Sequence, residues 1–88
     1  MFVQGTYSFN GIPVVGTIGV VCNVFIRDPE TMNFTLPLYT NAVQVDAQQP
    51  FYSQGYMCAY DPSGGDVFLQ AYNYILTLPE FASFSLVA

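Results

Sequence analysis

Residues 11 to 26 read GIPVVGTIGVVCNVFI, a stretch without a single charge. Such a segment has to leave water, in a bilayer, in the protein's own core or against another molecule. A membrane-spanning helix needs about 20 predominantly apolar residues. This stretch is shorter and is interrupted by Pro13, Gly16, Thr17, Gly19 and Asn23, with Arg27 as its only basic flank. Its Val and Ile are β-branched, which costs rotamer freedom in a helix and suits a pleated sheet. It predicts one long strand over Pro13 to Ile26, or two strands broken near Gly16 and Gly19. Glycines there would mark a bulge or a close backbone approach. Burial in the chain's own core is the plainest reading, and a share in a subunit interface is compatible with it.

Turn chemistry divides the rest. Asp28-Pro29-Glu30, Asp61-Pro62-Ser63-Gly64-Gly65-Asp66 and Pro79-Glu80 combine acids with Pro and Gly, and Asp46 precedes Gln48-Gln49-Pro50. Pro presets φ, Gly supplies positive φ and Asp bonds nearby backbone, so these are turns with a mechanism. Between them lie nearly uncharged segments rich in Val, Phe, Tyr, Thr and Ile, which read as strands over 2–9, 33–39, 42–47, 52–60, 67–76 and 81–87. The stretch from Asp61 to Asp66 reads as the turn of a hairpin joining 52–60 to 67–76. A single turn of helix is expected at most, around 28–32 or near Pro79. The fold class that follows is all-β, a small antiparallel β-sandwich or barrel of about six to seven strands in one domain over 1–88.

Composition then bears on the surface. The chain is 52% hydrophobic, with eight Phe and seven Tyr in 88 residues. A core of this size encloses only about 20 side chains, so apolar groups are expected to spill onto the surface and to mark a contact. Against Asp28, Glu30, Asp46, Asp61, Asp66 and Glu80 stands Arg27 alone, with no Lys and no His, for a net charge of −5. Neutralising phosphates takes several cations, so nucleic-acid binding is excluded as an expectation. Six acids scattered along the chain are too dilute to imitate DNA.

Chemistry is scarce. Without His there is no ordinary general base, and without Lys there is no Schiff base or P-loop. No catalytic residue, cofactor or metal ligand is assigned, and the chain is expected not to be an enzyme. Asp61 and Asp66 offer oxygens for Ca²⁺ but lack the ligand count of an EF-hand, so turn formation is preferred. Cys22 and Cys58 sit in apolar contexts and are read as free, core-type thiols, with a disulfide as the alternative. Arg27 is a solvated turn charge or, as the lone cation, an intersubunit ion-pair candidate. Tyr52, Tyr56, Tyr60, Tyr72 and Tyr74 either straddle the core boundary or form a binding platform.

Both ends are apolar, MFV at one and EFASFSLVA at the other, as if pinned by a sheet or a neighbour. Phe2, Val3, Tyr72, Tyr74, Phe81, Phe84, Leu86 and Val87 are therefore the expected interface. The function expected is structural: a small virion component of the capsid-decorating or cement type. It would act as a homo-oligomer, for instance a trimer, on a larger protein shell, without nucleic acid or membrane. The alternative is a phage-type binding module that inhibits a host protein through its acidic turns or a tyrosine face. No cleavable signal is evident in MFVQGTYSFN. The expected location is thus the virion, after assembly in a host cytoplasm, or otherwise the cytoplasm.

Overall fold

The charge-free stretch is two strands that bend at Val20 and Val21. A computed structural model describes residues 1–28 and 30–87; Pro29, with that part of the helical turn expected over 28–32, and Ala88 lie outside the described residues. In chain order the elements are β1 (Phe2–Phe9), β2 (Ile12–Gly19), β3 (Cys22–Asp28), β4 (Thr31–Tyr39), α1 (Ala42–Asp46), β5 (Tyr52–Ala59), α2 (Val67–Ile75), a 3-10 turn (Pro79–Phe81) and β6 (Ser85–Val87). The strands form one six-stranded antiparallel sheet. The mostly β, antiparallel class expected from turn spacing therefore holds.

β4 organises the sheet. β5 runs along its whole length, from Thr31 opposite Ala59 to Leu38 opposite Tyr52. β3 pairs with its first half, and the end of β2 reaches it at Ile18 opposite Tyr39. β2 then leads back to β1, and β6 closes on β1 with Phe2 opposite Val87. The two apolar ends of the chain thus pin each other. Both glycines act as the sequence suggests. Gly16, at φ 73°, sits where the β1–β2 register slips, and Thr17 Oγ1 clasps that bulge by donating to Val14 O at 2.7 Å. At Gly19 a Cβ would lie 3.1 Å from Val3 Cγ2 and 3.2 Å from Leu36 Cδ1 and Leu38 Cδ2, so the missing side chain leaves room for the core side chains of the neighbouring strands.

Two segments expected as strands are helical. α2 takes 67–75 because the Asp66 carboxylate caps its first turn, accepting from Phe68 N, and because Ala71, Tyr72 and Ile75 fall on one helical face and are buried. Asp61 to Asp66 therefore joins a strand to a helix and is not a hairpin. The Gln70 side chain ties the loop down by bonding Asp61 N, Asp61 O and Gly65 O. The segment 42–47 becomes the five-residue α1, capped by Asn41, whose side chain accepts from Gln44 N. The expected strand over 81–87 shrinks to β6, and Pro79 opens the 3-10 turn before it.

α2 and the 3-10 turn cover one face of the sheet. Met32, Phe34, Leu36 and Leu38, alternate residues of β4, meet Val3, Ala71, Tyr72, Ile75 and Phe81 there. Aromatic rings bridge what remains: Phe81 packs on Phe84 at 4.8 Å, on Tyr7 at 5.5 Å and on Tyr56 at 6.5 Å, while Tyr52 meets Tyr7 and Phe9. Apolar groups reach the surface at residues such as Ile12, Val15 and Val43, while this clustering keeps most of the aromatics inside. Of the fifteen, only Phe25 and Phe68 are exposed. The accessible surface of 5163 Å² is close to the roughly 5,100 Å² expected of a folded monomer of this mass.

Candidate interaction surface

The other face of the sheet lacks such a cover where β3, β4 and β5 run side by side. Partners in an antiparallel ladder point to the same side, so Phe25 opposite Asn33 and Asn33 opposite Met57 form one row across three strands. Phe25 is 61% exposed and Met57 54% exposed. The next row runs Cys22, Thr35, Gly55. A Cβ on Gly55 would meet nothing closer than Phe34 O at 3.9 Å, so its absence leaves the floor open. The result is a shallow depression of about 370 Å³ lined by Asn23, Asn33, Phe34, Thr35, Gly55, Tyr56 and Met57.

Two polar features mark this face. Asn33 Oδ1 is buried with no hydrogen-bond partner in the protein. A buried acceptor without a donor costs about 1–3 kcal/mol, so within this open depression Asn33 takes its N–H or O–H from outside the chain, from water or from a molecule that displaces it. Arg27, the sole cation of a chain of net charge −5, reaches over the same rows and donates from Nη1 to Met57 Sδ at 3.3 Å. Phe, Met and Arg are the residue types enriched where proteins bury surface against each other. Of the other exposed apolar side chains, Ile12 and Val15 lie on β2, Val43 on α1 and Phe68 on α2, away from these rows, and scattered exposure of this kind is ordinary.

The expected interface residues are not brought together as a surface. Val3, Tyr72, Phe81 and Phe84 are buried in the chain's own core, because α2 and the 3-10 turn lie over the sheet where the sequence predicts two further strands. They are corrected to core residues. Phe2, Leu86 and Val87 are half-buried in the β1–β6 pairing, and Tyr74 is half-buried with its ring edge-on to Phe34 at 6.4 Å. The tyrosine platform dissolves in the same way, since Tyr52 and Tyr56 point into the aromatic cluster. Burial pushes the Tyr56 hydroxyl up to about 12, with Glu80 and neighbouring tyrosines adding to the rise.

Cys22 and Cys58 are both free thiols. Cys58 pairs with Met32 on the core side, whereas Cys22 pairs with Thr35 on the outer side. Burial raises both thiols above their ordinary range, which makes them poor nucleophiles. In the Asp61 to Asp66 loop the carboxylates serve the fold: Asp61 accepts from Ser63 N and Oγ, and Asp66 caps α2. Among the described residues no helix is long and apolar enough to cross a membrane. No protein-family model matches the chain, and no curated protein or solved structure is similar to it.

Phe25, Asn33 and Met57 are the residues that sequence reasoning missed. The signal was present as spacing, since each lies on the outward parity of its strand, but it becomes a row only once the ladders are in register.

Proposed function

We propose that this chain is a non-enzymatic structural protein that works by assembling, with the outer face of β3, β4 and β5 as its contact surface. The observation that carries the reading is the row Phe25, Asn33, Met57: two exposed apolar side chains flank a buried acceptor that has no partner, with Arg27 beside them. A partner would cover the apolar pair, donate to Asn33 and offer a carboxylate to Arg27. A second copy carries such carboxylates in its turns, and so does any acidic protein shell. Small size, few charges and hydrogen-bonding polar groups suit a component that decorates or cements a larger shell, and a virion is the shell class we assign. The inhibitor reading has less support, because the tyrosines are drawn inward and the acids of the Asp61 to Asp66 loop are engaged in turns and caps.

Sedimentation of the purified chain over a range of concentration tests this. The wild type is expected to associate, and Phe25→Asp, at an exposed position, is expected to weaken that association while keeping its thermal midpoint. Association that survives Phe25→Asp unchanged would remove this face from the reading.

A further inference from the structure

Edge strands expose unpaired backbone, and proteins normally blunt them with bulges, charges, Pro or shortness. Three strands end this sheet, and the stretches of β1 and β2 that run beyond β6 and β4 are broken by the bulge at Gly16 and by Pro13. β6 is only three residues long. β3 carries Arg27 and Asp28, and its register slips twice against β4, with Asn23 at φ 53°. β5 has none of these devices. Its eight residues, YSQGYMCA, contain no charge and no Pro, and they follow β4 in unbroken register. Among the described residues its other edge pairs with no strand.

The ladder determines which groups that edge offers. Tyr60 N–H donates to Glu30 O at 2.8 Å. Alternation from that point directs the backbone of Tyr52, Gln54, Tyr56 and Cys58 toward β4 and turns the N–H and C=O of Ser53, Gly55, Met57 and Ala59 outward. Ser53, Gln54, Gly55, Met57 and Ala59 are all exposed.

We propose that β5 pairs with β5 of a second copy, antiparallel about a twofold axis, extending the sheet across two molecules. The geometry of the edge selects a second copy as the occupant. An antiparallel edge is complementary to itself, because a twofold axis places each outward N–H opposite an outward C=O of the same strand. Charge permits it: although each molecule carries −5 overall, β5 is a neutral strip on which no register opposes two like charges. With β3 and β6 blunted and the β1–β2 hairpin bulged, pairing consumes the long unbroken edge among the described residues and stops at a dimer. This inference deepens the assembly reading and rests on it, while using the edge of β5 where that reading uses the outer face.

The test is amide hydrogen exchange on the intact chain, paired with sedimentation. The amides of Ser53, Gly55, Met57 and Ala59 are expected to gain protection as concentration rises, whereas those of Gln54 and Tyr56 are protected throughout. The double variant Ser53→Glu, Ala59→Glu, at two exposed positions, is expected to weaken the dimer at least tenfold, and Phe25→Asp is expected to leave the edge dimer in place. Association without added protection at the four amides overturns the edge pairing and leaves the outer-face reading standing. Protection at the four amides, with association indifferent to Phe25→Asp, does the reverse. A chain that stays monomeric at every concentration overturns both, and exchange in the wild type needs no variant to fold.

Discussion

The Tyr72 hydroxyl ties three distant parts of the chain together. Val21 N–H donates to it at 2.8 Å, and it donates in turn to Met1 O at 3.1 Å. This falls where the charge-free stretch leaves β1 and turns onto β4, a bend at which Val20 N–H reaches Pro37 O of β4 and Val21 N–H turns to the tyrosine. Burial raises the Tyr72 hydroxyl above the ordinary tyrosine range, and the bond from Val21 partly offsets that rise. Tyr72→Phe keeps the ring and strands a buried N–H, so a loss of about 1–3 kcal/mol is expected. Urea denaturation should show a lower midpoint with an unchanged slope, and an unshifted midpoint would refute the bond's importance. Nothing near position 72 announces this role. The sequence shows an aromatic at a strand-compatible position, and the partner that decides its use is 51 residues away.

Legibility at the level of elements divides by how much each segment depends on its neighbours. β1 matches the sequence reading end for end, and β5 stops one residue short of it, because turn residues bound both and residues that suit a pleated sheet lie between them. Gly16 and Gly19 were legible for the same local reason. α2 was not. Val67 to Leu76 is apolar on both strand faces, a pattern that fits a helix as well as a covered strand, and β-branched and aromatic content tipped the reading the wrong way. What decides the matter is the cap together with tertiary burial of Ala71, Tyr72 and Ile75. If the cap matters as argued, Asp66→Ala lowers stability by about 1 kcal/mol, and Asp66→Asn, which keeps the accepting oxygen, loses much less. Equal thermal midpoints for the two variants would show that the side-chain bond to Phe68 N is dispensable. The contact surface was illegible for a further reason: the outer row is built from residues on three strands, and two bulges in β3 set which of its side chains joins the row.

For the molecule as a whole, aromatic clustering resolves the conflict between an apolar composition and a small core, and it leaves a signature in pH. Tyr7, Tyr52 and Tyr56 converge near Phe81, and Tyr7 and Tyr56 both feel the charge of Glu80. Burial is the main cause that raises Tyr7, and it carries Tyr56 from 10.0 to about 12. A tyrosine whose folded value lies above its unfolded one holds its proton longer in the native state. The native state then binds more protons between those values, so stability is complete below about pH 10 and falls as pH climbs toward 12. Each proton lost also adds negative charge to a molecule already at −5 with one arginine to oppose it, which deepens the fall. Denaturation at a series of alkaline pH values should show this decline. Tyr56→Phe, which removes the most strongly raised hydroxyl, should flatten it without changing the behaviour at neutral pH beyond a constant offset. A variant whose stability falls as steeply as the wild type's would mean that the aromatic cluster opens before Tyr56 titrates, and that the rings sealing the core are held less tightly than their packing implies.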